Sequence, residues 1–127
     1  MLPRLTPVTA WAAVCALVVT LASSGRAEDY HLPPIGSPAH GEALIAEKGC
    51  GGCHMIPGIL GADGLVGPPL TMMGRRVFVA GLLRNTQQNL AAWVLDPQRI
   101  VPGVAMPSTN LTPAEALDVA AYLETIR

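Results

Sequence analysis

Aromatic side chains are scarce in this sequence: one Phe, two Tyr and two Trp make up 4% of its 127 residues. A packed aromatic buries about 150–250 Å², so a core built almost without them needs another source of bulk. Charge is scarce as well, at 13% of the chain, and lysine is reduced to Lys48 alone. That excludes a broad lysine-rich face and argues against a nucleic-acid partner. No stretch alternates apolar and polar residues as a strand does, and no internal repeat is present, which leaves helices and loops as the building material. The length allows one small domain and no second core.

What the chain does have is apolar residues, half of the total. They are concentrated at the start. Residues 1–4 supply a short basic beginning, and residues 11–21 (Trp-Ala-Ala-Val-Cys-Ala-Leu-Val-Val-Thr-Leu) form an apolar run followed by Ser23-Ser24-Gly25-Arg26-Ala27. That order is expected to be a secretory signal peptide over 1–27, cut after Ala27, with a cut after Ser24 as the alternative. The competing reading is an uncleaved anchor. Residues 5–22 approach the about 17–25 apolar residues that span a bilayer, but they contain Pro7 and three Thr. Cys15 lies inside the run and leaves with the signal. Removing Arg4 and Arg26 from the eight basic residues leaves six against nine acids, a net charge of −3.

Beyond the signal, residues 28–37 read as an irregular lead-in, because Pro33-Pro34 forbids a regular helix or a central strand. A single domain is expected over 38–127. Ser37-Pro38 is an N-cap followed by a first-turn proline, and a helix is expected over 39–48 with Gly41, Leu44 and Ile45 on one face and Gly49 at its end. Residues 55–69 hold seven Gly or Pro and no period, so they are expected to form a long loop; loops beyond about 12–15 residues usually serve a function. A short helix is expected over 70–74 and a longer one over 86–95, stopped by Asp96-Pro97. Thr112-Pro113-Ala114-Glu115 is a capping box that opens a last helix, with Val119, Tyr122, Leu123 and Ile126 at helical spacing. The fold class is all-α.

Cys50-Gly51-Gly52-Cys53-His54 is the Cys-x-x-Cys-His haem-attachment signature. Two thiols three residues apart at a helix end can each form a thioether to a vinyl group, while the adjoining imidazole binds iron. Structural zinc requires four ligands, and the chain beyond the signal adds only His31 and His40. A thioredoxin-type pair follows a strand, whereas here a helix precedes the motif. A disulfide suits an exported protein but would close a tiny loop and leave the aromatic-poor core unexplained. A covalent porphyrin supplies the missing bulk. The second axial ligand is expected from Met106, in the stiff segment Pro102-Gly103-Val104-Ala105-Met106-Pro107; Met55 adjoins His54 and cannot cross to the other face, and Met72 and Met73 are expected to line the pocket. A thioether ligand raises the potential relative to two histidines.

From Gly41 to Arg127 the chain resembles class I c-type cytochromes. Gly41-Glu42-Ala43-Leu44-Ile45-Ala46-Glu47-Lys48-Gly49 looks like the family's first helix, which crosses the last; Ile45 stands where an aromatic is common, so its contact with Tyr122 should be smaller. Gly67-Pro68-Pro69-Leu70 resembles the family's Gly-Pro-x-Leu segment, which implies that the Pro68 carbonyl accepts from His54 Nδ1 and that Leu70 touches the haem. Gly74-Arg75-Arg76, Leu83-Arg84-Asn85-Thr86, Asn89-Leu90-Ala91-Ala92-Trp93, Asp96-Pro97-Gln98 and the Met106 segment look most similar to the cytochrome c domain fused to subunit II of some haem-copper oxidases. That resemblance implies Arg76 and Trp93 near the haem propionates, and a fold of three to five helices with Gly/Pro-rich loops around one haem c.

The expected function is that of an exported, periplasmic monohaem electron carrier rather than an enzyme, with an oxidase, a cytochrome bc1-type complex or a dehydrogenase as redox partner. Membrane contact is expected only if the N-terminal segment stays attached. The alternatives are a dedicated haem subunit of a periplasmic dehydrogenase or oxidase, and a gas- or peroxide-binding haem protein with an open sixth position.

Overall fold

The computed structural model describes residues 35–127; the signal expected over 1–27 and most of the lead-in lie outside the described residues. Helix α1 is Pro38–Glu47. Ser37 caps it, its Oγ accepting the His40 N–H at 3.3 Å, and Pro38 occupies the first turn, where a missing N–H costs nothing. Gly49 stands just past the end in the left-handed region, with φ 70°. Helix α2, Gln87–Leu95, is capped by Thr86, whose hydroxyl accepts from the Asn89 N–H at 3.2 Å.

Asp96-Pro97 stops α2 as expected, and the same pair starts a further helix. The Asp96 carboxylate accepts the Arg99 N–H at 3.3 Å, Pro97 takes the first position, and one turn, α3, runs Pro97–Ile100. The last helix, α4, is Pro113–Thr125, and its capping box is complete: Thr112 N–H donates to Glu115 Oε2 at 2.7 Å and Glu115 N–H to Thr112 Oγ1 at 3.3 Å.

Two expectations are corrected. The helix expected over 70–74 is a single 3-10 turn, Met73–Arg75, because Met72 sits in the left-handed region with φ 54° and interrupts any α-helical run. A minimal antiparallel ladder, β1 (Phe78–Val79) with β2 (Leu83–Arg84), follows it. At two residues per strand it leaves the all-α class intact. Residues 55–69 contain neither helix nor strand, only an isolated bridge between Met55 and Asp63.

Helices α1 and α2 both pack on α4. Leu44 and Ile45 from α1, Leu90, Ala91 and Val94 from α2, and Ala116, Val119, Ala120 and Leu123 from α4 share one buried cluster with Ile56 and Val79 from the loops. Tyr122 is the one aromatic in that buried set. Its ring reaches past α1 to the long loop, where its hydroxyl donates to the Pro57 carbonyl at 3.1 Å. Asp118 ties the start of α1 to α4, accepting from the Ser37 N–H at 2.6 Å and pairing with His40 Nδ1 at 2.8 Å; these partners, the Ser37 N–H first, hold its carboxyl below the usual range. Among the described residues no helix is long and apolar enough to cross a membrane.

Candidate functional site

The five-residue motif is wound into one tight turn immediately after α1. Cys50–Gly52 is a 3-10 turn, with the N–H groups of Cys53 and His54 both donating to the Cys50 carbonyl, at 3.2 and 3.0 Å. Such a turn brings positions three apart toward one side. Both thiols are free: Cys50 is half-buried and Cys53 exposed. Burial pushes the Cys50 thiol above its ordinary range.

The long loop folds back along this turn. Gly64 N–H donates to Gly51 O at 3.0 Å and Gly67 N–H to Cys53 O at 2.8 Å. Gly67 then lies against the imidazole of His54: a Cβ on it would stand 2.6 Å from Nδ1. The next residue supplies the polar partner, because the Pro68 carbonyl lies 2.8 Å from His54 Nδ1. A carbonyl only accepts, so Nδ1 carries the proton and Nε2 keeps a free lone pair. A partner of this kind fixes both the tautomer and the ring plane.

Leu70 is partly buried against the core, and its N–H donates to Met55 O at 2.8 Å. Arg76 turns its guanidinium back on this strap, with Nη2 donating to the carbonyls of Pro69 and Thr71, the latter at 3.0 Å. Trp93 packs partly buried on the core from α2. Met73 is a core residue at 4% exposure, whereas Met72 is exposed. Met106 is partly buried in a bend.

Sequence reasoning did not single out Gln98, which organises the Met106 segment. From the single turn of α3 its Nε2 donates to Val104 O at 2.5 Å and to Met106 O at 2.8 Å, while its Oε1 accepts the Gly103 N–H at 3.0 Å. One side chain holds both ends of the loop. A polar residue placed between a helix start and a Pro-Gly loop was the available signal, but it has no period to mark it. Gln98→Ala is expected to speed solvent exchange of the Gly103 amide about tenfold, the loss of one net hydrogen bond, with a lower thermal midpoint; an unchanged exchange rate would show that the loop holds itself.

Residues 38–127 match the family model for cytochrome c. The chain belongs to the cytochrome c family. It is 34% identical over 88 residues to cytochrome c oxidase subunit 2 of Alkalihalophilus pseudofirmus, covering 68% of this chain and 25% of that protein. It is 34% identical over 91 residues to cytochrome c oxidase subunit 2 of Bacillus subtilis, covering 68% of this chain and 26% of that protein. The chain thus spans about a quarter of the length of these relatives.

The cytochrome c family binds covalent haem c, and the residues present suit that group. Two unpaired thiols and an imidazole with its Nε2 lone pair free stand within five residues. Met55 adjoins His54, and Leu65 and Val66 lie between Gly64 and Gly67, whose N–H groups bond the motif; the three are exposed at 40%, 82% and 80%. A monomer seldom leaves so much apolar surface in one region unless it meets something.

Proposed function

We propose that this cytochrome c is a monohaem carrier of single electrons, working on the exported side of a membrane, in which Cys50 and Cys53 would hold the haem through their sulfurs and His54 Nε2 and Met106 Sδ would ligate the iron. The observation that carries this reading is the hydrogen bond from His54 Nδ1 to the Pro68 carbonyl, which leaves Nε2 as the ring's donor atom. Leu70, Trp93 and the remaining guanidinium nitrogens of Arg76 complete the proposed pocket. When bound, the haem supplies a one-electron couple whose potential a thioether ligand raises. The chain's own residues fix the ligand orientation, exclude water from one side and present an edge to a partner. No substrate is transformed, so the role is that of a carrier rather than a catalyst.

Redox proteins are the proposed partners. From Gly64 to Leu95 the sequence carries Arg75, Arg76 and Arg84 and no acidic residue. Val77, Phe78 and Leu82 are exposed in the same stretch, and the Arg84 guanidinium lies 5.9 Å from the Phe78 ring centroid. An apolar patch with basic neighbours suits brief docking to an oppositely charged surface.

Replacing Met106 with alanine tests the assignment. The oxidised protein is expected to lose its sulfur-to-iron absorption band and the reduced protein to gain carbon monoxide binding. An unchanged spectrum and potential would overturn ligation by Met106. A second reading, a dedicated haem subunit of an oxidase, is favoured by the names of the relatives, which are oxidase subunits. Size exclusion of a native extract separates the two: a carrier elutes as a monomer and a subunit elutes with its complex.

A further inference from the structure

Hydrogen bonds tie residue 85 to Arg76, and Arg76 to the strap whose first carbonyl partners His54. His54 Nδ1 donates to Pro68 O at 2.8 Å. The carbonyls of Pro69 and Thr71, on the same strap, both accept from Arg76 Nη2. Arg76 closes the 3-10 turn, its N–H donating to Met73 O at 3.3 Å. Asn85 grips both ends of that turn: Nδ2 donates to Met73 O at 2.8 Å and to Arg76 O at 2.9 Å. The Asn85 N–H also donates to Val77 O at 2.9 Å.

The chemistry at position 85 is one-sided. Both bonds from its side chain are donations to carbonyls, while Asn85 Oδ1 is buried without a partner among the described residues. A buried acceptor left unpaired is costly, and it is retained here beside a donor pair that grips two backbone oxygens. An aspartate would turn acceptors toward acceptors. The guanidinium of Arg76 reaches both carbonyls from a single nitrogen, Nη2, which stands one bond farther from the backbone than a lysine ammonium would.

We propose that Arg76 and Asn85 are positioning residues for His54, holding the strap of residues 68–71 so that the imidazole N–H bond to Pro68 keeps its length and direction. The inference rests on the reading that His54 Nε2 is an iron ligand. A firm Nδ1–H bond makes the ring a stronger donor, which favours the oxidised metal and lowers the potential. Loosening the strap therefore raises the potential. Losing the positive charge of Arg76, or a contact of that charge with a propionate, acts in the opposite direction, because a nearby cation disfavours the oxidised form.

Two variants leave every charge in place: Arg76→Lys shortens the reach to the Pro69 and Thr71 carbonyls, and Asn85→Ala removes the grip. Both are expected to raise the midpoint potential of the holoprotein and to speed exchange of the His54 Nδ1 proton, read by proton NMR, about tenfold, with the sulfur-to-iron band retained. Should Asn85→Ala fold poorly, Arg76→Lys alone decides. Potentials and exchange rates that match the parent protein would overturn the inference, as would a fall in potential confined to Arg76→Gln, which marks a pure charge effect. An unchanged spectrum in His54→Ala would overturn the functional reading, and this inference with it. Unshifted potentials in a protein whose spectrum depends on His54 overturn this inference alone.

Discussion

Gly41→Ala is expected to destabilise the protein by at least about 4 kcal/mol, a large part of the about 5–15 kcal/mol that holds a typical domain together. Helix propensity predicts the reverse sign, since alanine in a helix interior is better than glycine by about 0.5–1 kcal/mol. The contact decides. A methyl group at position 41 would overlap the Asp118 carbonyl oxygen and stand 2.5 Å from its carbon and 2.9 Å from the Val119 nitrogen. These are backbone atoms of α4, which cannot rotate away as a side chain could, so the two helices must separate. Separation uncovers Leu44 and Ile45, both almost fully buried at 3% and 1% exposure. Thermal melting of the variant checks this directly. Ala43→Gly, on the exposed side of α1, is the matched control and should cost no more than about 1 kcal/mol; a parent-like melting point for Gly41→Ala would show that the crossing can relax.

Gly67→Ala is expected to leave the helices folded and to disable the site. Gly67 lies outside the left-handed region, so space rather than backbone conformation is what it provides. An added methyl group would overlap His54 Cε1 and stand 2.6 Å from Nδ1 and 2.9 Å from Nε2. The ring must swing, which breaks its bond to Pro68 and strains the Gly67 N–H bond to Cys53 O. Outer partners of a metal-ligating histidine are worth about 10–100-fold in metal affinity or activity, so, on the proposed ligation by His54, added imidazole should change the visible spectrum of the holoprotein at a concentration lower by about that factor. Gly52→Ala is the control, because a Cβ there meets nothing within 4 Å. Equal titrations of the two variants would remove Gly67 from the account of the site.

What could be read in the sequence was what short-range chemistry dictates. The capping box at Thr112 and Glu115 is complete within four residues, and the structure has it bond for bond. The all-α class followed from helix caps, helical spacing and the lack of strand alternation, and the family from one five-residue motif and the segments around it. The turn at Met72 was not legible, since a methionine in the left-handed region runs against its own preference. Nor was α3, although Asp96-Pro97 carries the signal: the pair reads as a stop, and it is a stop and a start together. Gln98 and Asn85 stayed hidden for a common reason. Each acts through backbone carbonyls, and a carbonyl leaves no mark in the sequence.

The pairing of His40 with Asp118, 78 residues apart, sets an order of events as well as a shape. Helix α1 has no helical partner until α4 exists, and α4 is the last element of the described chain. During synthesis the two cysteines therefore emerge long before the framework around them can close. For that interval both thiols lie open, which is when the proposed bonds to a porphyrin would form. Arrival of the final helix ends the interval, so the same contact that stabilises the finished protein also limits the time available to complete it.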